Sequence, residues 1–441
     1  MSQNGKIPHV VIIGGGFGGL QAAKALARKP VRVTLIDKKN HHTFQPLLYQ
    51  VATAVLSPGE IASPIRRILY KYQNIEVLLG EVGSFDKERH KVILRSGAEV
   101  GYDYLIVAAG ARHSYFGHDE WEADAPGLKT LEDAVEIRRR VLLAFEKAER
   151  QAILTGRHDP LNFAIVGGGP TGVELAGAIA GIARQALAQD FKAIDTTKAR
   201  VMLLEGSTRI LGAFAEDLSL KAEAQLTELG VAVYKQRMVT EVSAGQLKVG
   251  AEIIPCSVIL WATGVAASPL GKALGAAVDR AGRVLVEPDL TIPGHKNIFV
   301  IGDMASLKDE KDNPIPGVAP AAMQEADLTA ANILRDLAGE PYRPFKYFDK
   351  GSMATIGRNR AIVQVGNWHF AGYFAWLMWL FVHIMSLVGF RNRLWVLSEW
   401  FWAYFTRERS ARLITGDAEQ MRLQTQANNP SAATAKPAQV T

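Results

Sequence analysis

One phrase, written twice, constrains the fold more than any other feature. The apolar run His9–Ile13 leads into glycines, then into helical apolar periodicity from Leu20 to Leu26, then into a second run from Val31 to Ile36 that ends at Asp37. The same order returns with Leu161–Val166, the turn GGGPTG, a helical stretch from Val173 to about Ala188, and Arg200–Leu204 ending at Glu205. Strand, tight turn, helix and strand is the opening of a parallel βαβ unit. Two copies about 150 residues apart predict two α/β units, and 441 residues exceed one ordinary core. Each copy is closed by a second buried-strand run ending at a glycine: YLIVAAG at Gly110 and VILWATG at Gly264. A third phrase, NIFVIGD at 297–303, predicts that the chain returns to the first unit after completing the second.

The glycines have separate duties. In Gly14-x-Gly16-x-x-Gly19 the first permits the turn, the second lets backbone approach a pyrophosphate, and the third lets helix pack on strand. The phosphates then meet the positive end of the helix dipole. Asp37, closing the next strand, takes the place of the acid that holds a ribose hydroxyl. In the second copy, Gly167, Gly169 and Gly172, the acid is Glu205, 33 residues past Gly172, with a longer helix and loop through 181–199 filling the interval. An acid there repels a 2′-phosphate, so NADH is favoured over NADPH. Two dinucleotides in one chain imply hydride transfer from a nicotinamide to a flavin. The first site, revisited by NIFVIGD, is expected to carry FAD, with Asp303 near the ribityl or the pyrophosphate, and the second to carry NADH.

Composition removes other classes. A single cysteine among 441 residues excludes an intrachain disulfide, a dithiol redox centre, a thiolate-rich zinc site and an iron–sulfur cluster. The His41–His42 pair lacks partner ligands at metal spacing, so it reads as a surface or loop feature and no metal is expected. The net charge of +6 is interspersed rather than gathered into a basic arm, which gives no support to nucleic-acid binding. The N-terminus shows no basic n-region before a cleavable apolar stretch, so the protein is expected in the cytoplasm or on its membrane face.

These residues resemble the two-dinucleotide-binding-domain flavoprotein reductases and, more narrowly, the type II, non-proton-pumping NADH:quinone oxidoreductases. The resemblance spans about 8–410 and is carried by IGGGFGG, FQPLLYQVAT at 44–53, GGGPTGVELAG at 167–177, WATG at 261–264, IGD at 301–303, APAAMQ at 319–324 and the aromatic C-terminal segment. It implies that Glu174 lies beside nicotinamide and flavin, positioning NADH or relaying protons. It implies further that Gln45, Pro46, Leu47 and Tyr49 line the flavin and the approach of the quinone. The family segment matching 319–324 usually reads AQxAxQ; Gln324 keeps the second glutamine as a catalytic candidate, while Pro320 replaces the first and takes no polar role. A homodimer follows from the resemblance and not from the residues.

Six of the eight tryptophans fall between 368 and 402, and no Asp, Glu, Lys or Arg occurs from Ala361 to Phe390. Three readings compete: a core or dimer helix, a transmembrane span over 370–390, or two helices, about 370–388 and 393–406, lying in one leaflet. A span would carry Arg391, Arg393, Arg407, Arg409 and Arg412 to the far side, against the charge bias. The interfacial pair fits better, with Arg391 and Arg393 at the turn meeting anionic lipid. The expected layout is an FAD-binding domain over 1–115 and 286–340, an NADH-binding domain over 116–285, a C-terminal domain with membrane-anchoring helices over 341–415, and a disordered tail over 416–441. The expected activity is that of a respiratory NADH dehydrogenase on the cytoplasmic face of the cell membrane, attached through 368–406. The alternatives are a soluble FAD/NADH reductase passing electrons to a small iron–sulfur protein, and an NADH-binding redox sensor. A sulfide:quinone reductase needs paired cysteines, which Cys256 alone cannot supply.

Overall fold

The computed structural model describes residues 7–406 and 411–415, without the side chains of Phe390, Arg391, Ala403 and Phe405. The tail expected over 416–441, Arg407 and Arg409 lie outside the described residues. Contacts divide the chain into two compact units. One comprises Met1–Phe44, Ile61–Ser114 and Gly264–Gly351; the other comprises Gln45–Glu60, Tyr115–Thr263 and Ser352–Thr441. Residues 264–285, expected with the second dinucleotide domain, thus group with the first unit, and 45–60 group with the second.

In the first unit, His9–Ile13 pairs in parallel with Arg32–Asp37 on one side and Tyr104–Val107 on the other. The sheet runs, by strand, Thr291–Ile292, His295–Val300, Tyr104–Val107, His9–Ile13, Arg32–Asp37 and Ile75–Leu79. His295–Val300 pairs in parallel with Tyr104–Val107, so the chain does return to this unit as NIFVIGD predicted. A strand alternates its side chains between faces. Val10 and Ile12 accordingly join Leu20, Ala326 and Ile333 in one core, while Val11 and Ile13 join Val92, Leu274 and Met304 in the other. Cover on both faces is why these strands read as unbroken apolar runs.

The second unit repeats the plan with four parallel strands in the order Val231–Tyr234, Arg200–Leu204, Asn162–Val166 and Val258–Trp261. The helix after its glycine turn, Pro170–Gly181, ends in a π-helical turn, Ile182–Ala186, before an irregular passage to Arg200. That passage is the physical origin of the long interval before Glu205.

Within this second unit, Ser352–Gly357, Arg360–Val365 and Trp368–Ala371 form an antiparallel meander. Its first strand presses on helix Pro170–Gly181 so closely that a Cβ at Gly177 would stand 1.8 Å from the carbonyl oxygen of Ile356. Two helices follow, Tyr373–Ser386 and Phe390–Thr406. The first is 14 residues long, roughly 21 Å at 1.5 Å per residue, short of a hydrocarbon core of about 30 Å. Among the described residues no helix is long and apolar enough to cross a membrane, which corrects the span reading over 370–390. Phe374 is 75% and Phe381 66% exposed, while Ala375, Trp379 and Ile384 are buried, so this helix is not enclosed in the chain's own core. Arg393 has partners within the chain at the turn between the two helices. It donates to the carbonyls of Leu387 at 2.8 Å and Met385 at 2.8 Å, filling orphan acceptors where the first helix ends. Its guanidinium braces the turn.

Candidate functional site

The two glycine turns share their backbone conformation and close contacts. Gly14 has φ +98° and Gly167 φ +110°, the left-handed region that costs a residue with a Cβ dearly. A Cβ on Gly19 would lie 1.8 Å from the carbonyl oxygen of Gly14, and one on Gly172 1.9 Å from that of Gly167. These four glycines shape protein against protein. At Gly16 and Gly169, by contrast, a Cβ would meet nothing within 4 Å. Both are N-caps of their helices, and neither helix has a side-chain cap. Open space in front of uncapped helix N–H groups suits a pyrophosphate, so the residues present fit a dinucleotide at each turn. Gly110 and Gly264, closing the neighbouring strands, also match, with φ +67° and +77°.

The acids stand in equivalent places despite their different spacing. Asp37 accepts the Gly15 N–H at 2.5 Å on one oxygen and the Lys39 N–H at 2.6 Å on the other. Glu205 accepts the Gly168 N–H at 2.6 Å and the Ser207 N–H at 2.7 Å. Each carboxylate ties its glycine turn to the strand end, and each oxygen keeps a lone pair for a ribose hydroxyl. Burial works against the charge on Glu205, but the hydrogen bonds from Ser207, Gly168 and Gly206 outweigh it and hold the carboxyl below its ordinary range.

In the first unit the structure adds two groups that sequence reasoning missed or misread. His42 is not a surface feature: it lies on strand His41–Thr43, 3% exposed, with its ring 5.1 Å edge-on to Phe17. Its Nδ1 lies 2.9 Å from the Gly15 carbonyl, so that nitrogen carries the proton and donates. Burial pushes its pKa down, and the neutral ring braces the first turn from behind. Glu325 was missed. It is buried on helix Ala319–Leu337 and accepts the N–H of Gly302, φ +70°, at 2.5 Å. Burial, with a smaller push from the Asp303 charge, raises its pKa to about 8. The available clue was register, since Ala322, Glu325, Thr329 and Asn332 share a buried face. Asp303 follows Gly302 in the turn Gly302–Met304. Pro320 sits in the first turn of the same helix, where a missing N–H costs nothing. Gln324 donates to the carbonyls of Pro320 and Phe348 and accepts the Phe348 N–H at 2.9 Å, so its amide holds the 348 segment.

In the second unit Glu174 is on the wall of a cavity of about 480 Å³, facing Tyr49, Gln50, Thr355, Trp379 and Trp400. The close approach at Gly177 sets this arrangement, because Thr355 and Ile356 then lie over the helix turn that carries Glu174. Burial raises the Glu174 carboxyl to about 8, opposed in part by a backbone hydrogen bond from Thr355. Of the four residues expected on the quinone approach, Tyr49 lines this cavity. Gln45, Pro46 and Leu47 form the preceding 3₁₀ turn, where Gln45 is exposed and Leu47 is fully buried. Among the described residues no cluster of His, Cys, Asp or Glu could hold a metal ion.

Comparison with known proteins gives a consistent result. The pyridine nucleotide-disulphide oxidoreductase family matches residues 8–326, and the NDH2 C-terminal domain family matches residues 350–408. The chain is 46% identical over 432 residues to the type II NADH:quinone oxidoreductase NdhA of Mycobacterium tuberculosis, covering 94% of this chain and 91% of that protein. It is 45% identical over 422 residues to Ndh of the same organism, covering 92% and 90%. Among solved structures, NDH2 of Plasmodium falciparum in complex with NADH matches with a TM-score of 0.83 at 20% identity, covering 93% of this chain and 100% of the other.

Proposed function

Because the chain belongs to the type II NADH:quinone oxidoreductases, within the pyridine nucleotide-disulphide oxidoreductases, we propose that its first glycine turn holds FAD, its second holds NADH, and the cavity beside Glu174 receives the quinone. The overall reaction is oxidation of NADH and reduction of a quinone to quinol, two electrons and two protons, without proton pumping. Bound FAD supplies the hydride acceptor and the two-electron donor that join these halves. The soluble reductase serving an iron–sulfur protein is not favoured, since the relatives that match over nine-tenths of this chain are quinone reductases.

In this reading Gly14, Gly16, Gly19 and Asp37 hold the adenylate half of FAD, Gly110 and Asp303 border the rest of it, and Gln324 shapes its surroundings through Phe348. Gly167, Gly169, Gly172, Glu205 and Gly264 do the same for NADH, with Glu205 selecting against a 2′-phosphate. Glu174, largely protonated at neutral pH, donates to the quinone oxygen as electrons arrive. The observation that carries the assignment is Glu174 sharing one cavity with Tyr49 and the aromatic residues of the C-terminal helices. We place the enzyme on the cytoplasmic face of the cell membrane, with the exposed Phe374, Phe381, Trp395 and Trp402 in the lipid surface, as a homodimer. Stopped-flow bleaching of flavin absorbance by NADH, followed by recovery with a short-chain quinone, tests the activity. Bleaching without recovery would sink it.

A further inference from the structure

The cavity holds a hydrogen-bond chain that no catalytic step yet uses. Gln50, 6% exposed, bridges two elements of the second unit. Its Oε1 accepts the indole N–H of Trp400 at 2.7 Å, and its Nε2 donates to the Tyr49 hydroxyl at 2.8 Å. Trp400 belongs to helix Phe390–Thr406, whereas Gln50 and Tyr49 belong to helix Leu48–Ala52. The ring of Trp379 lies 6.4 Å from that of Tyr49 and 5.8 Å from that of Trp400, so aromatic surface surrounds the bridge.

The direction of this chain is fixed by chemistry. An indole N–H can only donate, so the amide oxygen must face Trp400 and the amide NH₂ must face Tyr49. The Tyr49 oxygen therefore accepts from Gln50, and its own proton is turned toward an acceptor other than Gln50. From this geometry, and resting on the reading of the cavity as the quinone site, we propose that Gln50 is a positioning residue that makes Tyr49 a hydrogen-bond donor to the quinone carbonyl oxygen, in a direction set by Trp400 on the lipid-facing helix. Seating of that helix and readiness of the quinone site are then coupled through one amide. Without Trp400 the amide can flip and Tyr49 can donate to it instead, leaving the quinone oxygen without this contact.

The test uses flavin-loaded enzyme in phosphatidylcholine–phosphatidylglycerol vesicles with a short-chain ubiquinone, at saturating NADH. Variants are compared at equal flavin content, and the rate of flavin bleaching by NADH reports intact folding. Gln50→Leu and Trp400→Phe should each raise the quinone KM about five- to tenfold, the loss of one neutral hydrogen bond, with kcat within about twofold. The double variant should be no worse than the weaker single, because both remove the same contact. Gln50→Glu at pH 9 separates direction from bridging: an ionised carboxylate still accepts from Trp400 but also accepts from Tyr49, so the quinone KM should rise as in Gln50→Leu. A Gln50→Glu enzyme with the native KM, or additive single effects, would overturn the proposal. If Tyr49→Phe and Glu174→Gln raise the quinone KM while Gln50→Leu and Trp400→Phe do not, the inference falls and the cavity assignment stands. If none of the four changes quinone kinetics, the cavity assignment itself falls.

Discussion

Replacing Glu174 by Gln removes a transferable proton while keeping the shape of the side chain. Burial raises this carboxyl from 4.5 to about 8, so about nine-tenths of it is protonated at pH 7. A neutral acid on the cavity wall can give its proton to a quinone oxygen; the amide cannot. Positioned general acids contribute about 10²- to 10⁴-fold. Since solvent can also supply protons to a cavity open at its mouth, we expect the low end, about 10²-fold slower reoxidation of NADH-reduced enzyme by quinone. The native rate should fall as pH rises through about 8, where the donor ionises, and the variant should lack that limb. Single-turnover recovery of flavin absorbance from pH 6 to 9 measures both. Equal rates with equal pH profiles would refute a proton-donor role. Stability gives a second readout. The folded pKa lies above the unfolded one, so the native state binds the extra proton between about 4.5 and 8, and across that window native stability falls by about 1.4 kcal/mol per pH unit. The gap in thermal midpoint between variant and native protein should widen in the variant's favour from pH 5 to pH 8.

Three further outcomes follow from the geometry. Gly16→Ala should leave the apoprotein folded, because its methyl meets open space, yet abolish flavin retention on desalting; Gly19→Ala, with its methyl 1.8 Å from the Gly14 oxygen, should instead lower expression and thermal midpoint. Glu205→Gln presents one acceptor and one donor to two backbone N–H groups, so one of them faces a donor. That mismatch costs about 1–3 kcal/mol, and titration of flavin bleaching should show NADH affinity falling about tenfold or more while NADPH discrimination weakens. Changing Phe374, Phe381 and Trp402 together to Ser should release the enzyme from anionic vesicles in a flotation assay while flavin bleaching by NADH persists.

The parts of this protein legible in the sequence are those built from neighbours. Apolar runs, glycine turns and the acid closing each second strand are local patterns, and even Glu205, at the wrong distance for a spacing rule, was findable because the strand stops there. The domain return at 297–303 was legible for the same reason. What escaped is the long-range bracing: His42 reaches back 27 residues to Gly15, Glu325 reaches 23 to Gly302, and Trp400 reaches 350 to Gln50. No periodicity encodes such contacts, because each depends on where the fold delivers its second partner. Glu325 shows how such a residue can still be sought, as an acid on a helix face otherwise filled by Ala, Thr and Asn. Arg393 is a further case, since composition reveals nothing of its hydrogen bonds to the carbonyls of Leu387 and Met385 at the helix turn.

The tryptophan cluster divides in the same way. In sequence it is one feature, six rings within 35 residues, and composition alone assigns it to lipid. In the fold it serves two purposes. Trp395 and Trp402 are exposed, as are Phe374 and Phe381. Trp379 is buried and packs against Trp400, while Trp376 stacks on Tyr404, and all four of these residues line the Glu174 cavity. The same two helices therefore present exposed rings as well as cavity-lining rings, and a helix is only about 10 Å wide. With the helices seated in lipid as proposed, a hydrophobic quinone would have to cross only that thickness. The rings on the cavity side are tied together by the Trp400–Gln50 hydrogen bond and the Trp379–Trp400 contact, so under the proposed function one segment would serve both as anchor and as inner wall of the quinone cavity.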